Sequence, residues 1–251
     1  MHTAPASPRV RVVAVVQART GSSRLPGKVL LPLAGRPVLG WVVRAALAAP
    51  GVDEVVVATS TAPGDDAVAD LAADLGVRVV RGSELDVLSR FVAAREVTRA
   101  DAVVRLTADC PLLDPDLIGA VVGAWRADPS LDYVATTLVR TLPRGLDVEL
   151  VSAGGLATAD AVAREHHRVH VTSALYATPG EHRTLGLVVA PDAHDLRVTL
   201  DTAQDADLLD ALAAELGDAP VRWRELVALL RARPDLVALN AEVRQKALEE
   251  A

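Results

Sequence analysis

The sequence predicts an α/β protein built on a mostly parallel β-sheet with helices packed against it. The main observation is that apolar, Val-rich runs of strand length alternate with segments of helical period, as in repeated β-α units. Composition is the second observation: 51% of the 251 residues are hydrophobic and 2% are aromatic, so Ala, Val and Leu must build the core. This composition suits buried strands and closely packed helices, and it excludes a largely disordered chain.

The first part of the chain contains two β-α units. In order, the predicted elements are a strand at residues 10–16, a helix at 37–49, a strand at Glu54–Ser60 and a helix at 64–75. Pro37 suits the first turn of a helix, and Pro50-Gly51 should stop that helix. Gly76 should end the second helix, because glycine adopts the left-handed conformation at the least cost.

The alternation of predicted strands and helices continues to about residue 137 and then changes. The next predicted elements are strands at residues 77–82, 102–106 and 132–137, with helices at 84–97 and 115–125. The segments 142–150 and 183–189 look like strands outside the simple alternation, which predicts a sheet extension or a small flap. From Asp205 onwards the pattern is mostly helical.

One domain accounts for this pattern, since no linker or internal repeat interrupts it. We expect residues 1–9 to be a disordered leader, residues 10–220 to form the domain, and residues 221–251 to be a helical C-terminal tail of the same domain. The tail carries no motif that indicates a function.

Charge and cysteine content limit the partners. A net charge of -7 argues against broad electrostatic binding to nucleic acid. Cys110 is the single cysteine, so no internal disulfide can form and a reducing cytoplasm is expected. No apolar run reaches the ~18 residues of a membrane-spanning helix. We therefore expect a cytoplasmic protein that binds small molecules, with neither a nucleic acid nor a membrane as partner.

The loop after the first strand, residues 17–28, carries the strongest chemical signal, and we call it the basic loop. Its cations and hydroxyls are Arg19, Ser22, Ser23, Arg24 and Lys28, with two glycines among them. Ligands of open α/β sheets bind beyond the carboxyl ends of the strands, and such a loop can wrap a polyphosphate. The spacing is not that of a Walker A loop, and the chain has no GxGxxG fingerprint.

Two aspartates at the ends of strand-like runs predict a metal site. Asp109 follows the predicted strand at 102–106, and Asp201 follows the run LRVTL. If the two carboxylates meet, Mg²⁺ fits, because it prefers oxygen ligands and bridges carboxylates to substrate phosphates. Asp114 and Asp116 are better explained as residues at a helix N-terminus, and Asp205 also lies near a helix start.

Two other signals are weak. Cys110 lies next to Asp109, but no histidine is evidently placed to activate it, and a buried, inert thiol is the simpler interpretation. The segment HHRVH contains His166, His167 and His170 without cysteine partners or an HExxH pattern. It is interpreted as helix surface or a substrate contact.

Several of these segments together resemble the cytidylyltransferase family. In chain order they are VVAVVQARTGSSRLPGKVL, VVVATS, RGSELDVLSRF, RLTADCPLLDP, PRGLDVEL, HVT and LRVTLDTAQD. The family includes the acylneuraminate and 3-deoxy-manno-octulosonate cytidylyltransferases, and the chain is most similar to the branch named for spore-coat polysaccharide biosynthesis. The resemblance covers about residues 10–210.

The resemblance implies a three-layer α/β/α fold of the nucleotide-diphospho-sugar-transferase type, which is Rossmann-like. It also implies Mg²⁺-dependent transfer of CMP from CTP to an acceptor oxygen, with release of pyrophosphate. Arg19, Lys28 and Asp109 would be the catalytic residues, acting by positioning and charge neutralisation rather than as a nucleophile. A homodimer is expected, since members of the family are often dimers.

The implied binding residues fall into three groups. The nucleotide would be bound by Arg19, Ser22, Ser23, Arg24, Lys28, Thr59, Ser60, Arg81 and Asp86. Asp109 and Asp201 would bind Mg²⁺. The acceptor would face Arg144, Asp147, Glu149 and His170.

The sequence departs from the family pattern at two positions. Val169 precedes His170 where the branch usually has Glu, which leaves the acceptor open, and Ala108 stands where Gly is commoner. Two other functions remain as alternatives: a glycosyltransferase of related fold, and a nucleotide-binding module without catalysis. Against the first, the loop reads Asp109-Cys110-Pro111 rather than Asp-x-Asp. Against the second, a binding module would not need the full metal arrangement.

Overall fold

A computed structural model describes residues 10–178 and 180–247. Its strands are, in chain order, β1 (Val12–Gln17), β2 (Pro32–Leu33), β3 (Arg36–Pro37), β4 (Glu54–Ser60), β5 (Arg78–Gly82), β6 (Ala102–Thr107), β7 (Tyr133–Ala135), β8 (Glu149–Ser152) and β9 (Thr184–Gly186). Its α-helices are α1 (Val38–Ala48), α2 (Asp66–Asp74), α3 (Val87–Thr98), α4 (Pro115–Ala127), α5 (Ala153–Val162), α6 (His166–His170), α7 (Ser173–Ala177), α8 (Ala203–Leu216), α9 (Trp223–Ala232) and α10 (Pro234–Val237). Strand and helix positions predicted from residue 10 to residue 137 agree with these bounds within a few residues.

Seven strands form one sheet in the order β5-β4-β1-β6-β8-β7-β9, and β2 and β3 form a separate hairpin. The pairs β5-β4, β4-β1, β1-β6 and β7-β9 are parallel, whereas β8 runs antiparallel to both of its neighbours. The predicted mostly parallel sheet is confirmed. The irregular strands beyond residue 132 extend this sheet.

The sheet lies between two layers of helices, which confirms the three-layer fold. Alternate residues of β1 point to opposite faces: Val12 and Val16 pack in one core cluster, and Val13 and Val15 in the other. The first cluster includes α1, α2, α4, α8 and α9, and the second includes α3, α5 and α7. Because both faces are covered, β1 is a continuous run of buried apolar residues rather than an alternating one.

Helix caps explain several acidic residues. Asp114 caps α4 by accepting a hydrogen bond from the backbone N–H of Asp116. Thr202 and Asp205 form a capping box at the start of α8. The interpretation of Asp114 and Asp205 as helix-start residues therefore fits the structure.

The C-terminal helices share the main core. Trp223, Leu226 and Leu230 of α9 are buried in the same cluster as Val12. The predicted helical tail does not continue past Asn240, and residues 241–247 contain no helix. The side chain of Asn240 is buried and donates to Asp205. The expected leader at residues 1–9 and the last residues of the tail, 248–251, lie outside the described residues. In the described part of the chain, no helix combines the length and apolarity needed to cross a membrane.

Candidate active site

A cavity of about 690 Å³ opens at the carboxyl ends of β1 and β6. These strands are parallel neighbours, so the loops that follow them meet at one edge of the sheet. The segment before Asp201 joins them: the backbone N–H of Leu200 donates to the carbonyl of Asp109 at 2.8 Å. This segment is not a sheet strand as its pattern suggested, since only an isolated bridge between Arg144 and Arg197 forms there.

The fold brings most of the predicted site residues into this cavity. They are Arg19, Ser22, Ser23, Arg24, Lys28, Asp109, Arg144, Asp147, Glu149, His170 and Asp201. The basic loop lies with Asp109 and Asp201 in one part of the cavity, which we call the phosphate end. The part that carries the predicted acceptor-binding residues, which we call the acceptor end, is lined by Arg140, Arg144, Gly145, Asp147, Glu149 and His170.

Four predicted nucleotide-binding residues do not line the cavity. Thr59 and Ser60 are 0% exposed at the end of β4. Arg81 donates to the backbone carbonyls of Ser60 and Ala62, and Asp86 caps α3. Thr59 and Ser60 are therefore buried, and Arg81 and Asp86 are held by structural partners.

Ser60 supports the basic loop indirectly. Its hydroxyl donates to the carboxylate of Asp65, which also accepts from the backbone N–H of Thr20 at 2.7 Å and from the Thr20 hydroxyl at 2.8 Å. The pKa of Asp65 is lowered, because these hydrogen bonds outweigh the burial that opposes the shift. Thr20 is thereby fixed directly after Arg19.

Lys28 is at the centre of the phosphate end. Its Nζ lies 2.7 Å from Oδ2 of Asp109, 2.7 Å from Oδ1 of Asp201 and 2.6 Å from the carbonyl oxygen of Leu200. The side chain enters the cavity from a 3₁₀ turn that follows Gly27, whose φ of 72° favours glycine. Burial opposes ionisation of Lys28, but the two carboxylates outweigh it and raise its pKa.

Asp201 is held by three cations. In addition to Lys28, its Oδ2 lies 2.8 Å from Arg24 and 2.8 Å from Arg197. Burial opposes ionisation of this carboxyl, yet Lys28, Arg197 and Arg24 lower the pKa of Asp201 to about 2. The carboxylate is therefore ionised throughout the neutral range.

Arg90 is a cavity residue that sequence reasoning missed. It is 2% exposed, and its Nη1 donates weakly to the carbonyl of Ala58 at 3.4 Å. Its Nε has no hydrogen-bond partner within the described ranges, and burial together with nearby Arg19 lowers the pKa of Arg90 to about 10. A buried guanidinium with an unsatisfied donor beside the basic loop can donate a hydrogen bond to an anionic or carbonyl ligand.

At the acceptor end, two carboxylates are already paired. Arg140 donates to Asp147 through both Nη atoms, at 2.6 and 3.0 Å. Glu149 forms an ion pair with Arg105 and accepts hydrogen bonds from the hydroxyls of Tyr133 and Thr172.

These pairs leave one cation at the acceptor end without a carboxylate. Arg144 forms no ion pair with any residue from 10 to 178 or from 180 to 247, and burial with the neighbouring Arg140 lowers its pKa. Tyr176 also lines this end, and burial raises its pKa to about 12, so its hydroxyl is a neutral donor or acceptor. The acceptor end therefore offers a cation and a neutral hydroxyl to an acidic ligand.

Of the cavity-lining residues that were not predicted from the sequence, Arg105 has a recognisable local signal and the C-terminal residues do not. Arg105 interrupts an otherwise apolar strand, and such a buried charge requires a partner or a ligand. Gln245, Lys246 and Ala247 also line the cavity, but nothing in their local pattern distinguishes them from a polar chain end.

The donor chemistry of Asp109 and Asp201 fits a divalent cation. Both carboxylates converge on the Lys28 ammonium, and both are oxygen donors, which Mg²⁺ prefers. No group of three or more His, Cys, Asp or Glu side chains within the described ranges is arranged to hold a metal alone. A cation bound here would take its remaining ligands from substrate phosphate oxygens and water.

A three-layer α/β fold with a cation-rich loop after its first strand and two aspartates that converge on Lys28 is typical of an α/β nucleotidyltransferase. The family model described as cytidylyltransferase matches residues 13–206. The chain therefore belongs to the cytidylyltransferase family.

Individual relatives agree with this assignment. The spore coat polysaccharide biosynthesis protein SpsF of Bacillus subtilis is 34% identical over 234 residues, which cover 89% of this chain and 95% of that protein. A 3-deoxy-manno-octulosonate cytidylyltransferase of Anaeromyxobacter dehalogenans is 40% identical over 137 residues, 53% of each chain. The solved structure of a cytidylyltransferase from Leptospira borgpetersenii superposes with a TM-score of 0.88 at 26% identity, covering 95% of this chain and 100% of that one.

Proposed function

We propose that the protein transfers CMP from CTP to an acidic sugar in a Mg²⁺-dependent reaction that releases pyrophosphate. The observation that carries this proposal is the cluster of Lys28, Asp109 and Asp201, which lies where the basic loop ends. It supplies a cation for phosphate and two carboxylates for a metal in one place. The resulting nucleotide sugar would serve polysaccharide precursor synthesis, in keeping with the name of the Bacillus subtilis relative.

The phosphate end would hold the triphosphate. Arg19, Arg24 and Lys28 would offset its negative charge, and the hydroxyls of Ser22 and Ser23 would donate to its oxygens. Mg²⁺ held by Asp109 and Asp201 would neutralise charge on the α-phosphate as it develops in the transition state. These residues act by orientation and charge neutralisation, so an in-line displacement needs no protein nucleophile.

The acceptor end favours an anionic acceptor. Arg144 has no carboxylate partner among the residues that the structure describes, whereas Asp147 and Glu149 are neutralised by Arg140 and Arg105. A sugar acid such as the substrate named for the Anaeromyxobacter relative would place its carboxylate against Arg144 and turn a hydroxyl towards the α-phosphate. His170 lines the same end of the cavity.

A homodimer is also proposed. The strand β9 is an edge of the sheet, and Leu185 within it is 40% exposed with Val188 nearby at 61%. An apolar sheet edge is a natural pairing surface for a second copy. Sedimentation at micromolar concentration should show a dimer, and a monomer alone would rule this out.

The nucleotide half of the proposal is tested by thermal shift with CTP, UTP, ATP and GTP, each with and without Mg²⁺. We expect a Mg²⁺-dependent rise in melting temperature that is largest with CTP, because a ligand that binds only the folded state stabilises it. A preference for UTP or a UDP-sugar would favour the glycosyltransferase alternative. The absence of a shift with every nucleotide would contradict the assignment of the basic loop.

The transfer itself is tested by pyrophosphate release from CTP with a panel of sugar acids, including 3-deoxy-manno-octulosonate and N-acetylneuraminate. Asp109→Asn and Asp201→Asn should each lower turnover by about 100-fold or more if they hold the metal. If both variants retained full turnover, the metal assignment would be wrong. Tight CTP binding with no pyrophosphate release from CTP in the presence of any acceptor would favour a binding module.

A further inference from the structure

Lysine is rare in this chain. Of its 26 Lys and Arg residues only Lys28 and Lys246 are lysines, and both line the same cavity. An ammonium is a compact charge on a flexible stem that can exchange partners, whereas a guanidinium is a rigid fork suited to fixed pairs. Both lysines therefore lie at the site proposed to bind a polyphosphate.

Lys246 belongs to residues 241–247, which we call the C-terminal strap. The strap crosses the basic loop, where Lys246 Nζ donates to Oγ of Ser23 at 3.1 Å. Nη1 of Arg24 donates to the backbone carbonyl of Arg244 at 3.3 Å. Both contacts fall on residues of the predicted triphosphate site.

The strap is also tied to the metal-binding carboxylate. Gln245 accepts a hydrogen bond from Arg197 at 2.7 Å, and Arg197 is the residue that pairs with Asp201. No side chain of the strap is fully buried, whereas Asn240, directly before it, is buried and fixed to Asp205. The strap is thus an exposed segment that begins directly after a buried, hydrogen-bonded residue, and polar contacts hold it over the site.

The two lysines differ in their ion pairing. Lys28 is neutralised by two carboxylates, but Lys246 forms no ion pair within the described part of the chain, and its hydrogen-bond partner at the site is a neutral hydroxyl. An anion can therefore bind the Lys246 ammonium without breaking an existing ion pair. The triphosphate is the anion that the neighbouring loop is proposed to hold.

We propose that Lys246 is a further triphosphate-binding residue and that the C-terminal strap closes over the phosphates of bound CTP. This inference rests on the proposed function. It assigns a ligand to the part of the chain whose sequence carried no functional motif. The strap would also screen the phosphates from water, which strengthens every charge interaction beneath it.

Isothermal titration of Lys246→Met with CTP, pyrophosphate and CMP tests the proposal. We expect the Kd for CTP and for pyrophosphate to rise about tenfold, because one charge-assisted contact is lost, and the Kd for CMP to change less than twofold. Lys246→Arg should recover part of the affinity. Arg231→Met is the matched control: it removes one exposed positive charge that is paired with Asp195, and it should change no Kd.

The outcomes separate this inference from the proposed function. If wild-type protein binds CTP and Lys246→Met binds it equally well, the role of Lys246 is overturned and the proposed function stands. If the wild type binds no nucleoside triphosphate, both are overturned. As an independent measurement, CTP should slow trypsin cleavage after Arg244 and Lys246, and cleavage at an unchanged rate would overturn the closing of the strap.

Discussion

The ammonium of Lys28 lies 2.7 Å from the carboxylate of Asp201, although 173 residues separate them in the sequence. Asp109 completes the cluster at the same distance from Lys28. The ammonium thus occupies the space between two carboxylates that would otherwise repel each other. In the proposed reaction a metal would take this position, and Lys28 would be released to a phosphate oxygen.

This relationship predicts competition between Lys28 and a divalent cation. Lys28→Met should raise the affinity for Mn²⁺ in the absence of nucleotide by about tenfold, since it removes from between the two carboxylates the positive charge that competes with Mn²⁺. The same variant should lower turnover by about 100-fold or more, because a phosphate contact is lost. Mn²⁺ binding followed by electron paramagnetic resonance measures the first effect.

Lys28→Arg is the control for charge, and its Mn²⁺ affinity should stay close to the wild-type value. Equal Mn²⁺ affinity for Lys28→Met and wild type would show that Lys28 does not occupy the position of the metal.

Asp201 predicts a specific dependence of stability on acid. Its pKa falls from 3.8 to about 2 in the folded protein, so the unfolded chain binds the proton more readily. A lowered pKa contributes stability above pH 4 that is lost as pH falls towards 2, and this shift corresponds to about 2 kcal/mol. The stability difference between wild type and Asp201→Asn should therefore be about 1 kcal/mol smaller at pH 3 than at pH 5. Urea unfolding at the two pH values measures it, and a difference that does not shrink would contradict the assigned pKa.

The buried pair of Arg105 and Glu149 should be strongly coupled. Both side chains are largely excluded from solvent, so Arg105→Met or Glu149→Gln alone leaves its partner without compensation and should cost about 3 to 5 kcal/mol. The double variant should cost less than the sum of the two. A double-mutant cycle from urea unfolding gives the coupling free energy, and simple additivity would mean that the pair does not interact.

Gly145 is predicted to be irreplaceable at the acceptor end. Its φ is 106°, and a Cβ placed on it would lie 2.6 Å from the backbone carbon of Val198. Gly145→Ala should therefore cost about 2 to 4 kcal/mol and raise the KM for the acceptor, because the loop that carries Arg144 must shift. Unfolding measurements and acceptor kinetics test both effects.

Gly123→Ala is the matched control for this glycine. It lies within α4, and a Cβ there meets nothing within 4 Å, so the substitution should stabilise the helix by about 0.5 to 1 kcal/mol. If the two variants had similar stability, close packing at Gly145 would not be the reason for glycine there.

Local pattern was sufficient for most elements of the first 137 residues. The β4 prediction coincides with Glu54–Ser60, and α1 was predicted within one residue at each end. Val-rich buried strands and proline or glycine boundaries are local signals, which is why they can be read from the chain. Beyond residue 137 the strands are short and β8 is antiparallel, and local pattern cannot specify strand order or direction.

Local signals also predicted part of the candidate site. The basic loop and Asp109 reach the cavity because the carboxyl ends of the parallel strands β1 and β6 share one edge of the sheet. Asp201 follows no sheet strand, and the hydrogen bond from Leu200 to the carbonyl of Asp109 joins its segment to the same edge. Thr59 and Ser60 also end a strand, but the following turn covers them, and that depends on packing. Arg90 reaches the cavity from a helix whose sequence gives no sign of it.

By itself, the sequence determined the α/β class, the basic loop and the presence of Asp109 and Asp201 at segment ends, because these follow from residue type and local period. Only the tertiary structure decided that Lys28 lies between the two aspartates and that Lys246 reaches the same cavity. Contacts between residues so distant in the chain depend on how the sheet and helices pack, and no local pattern encodes that packing.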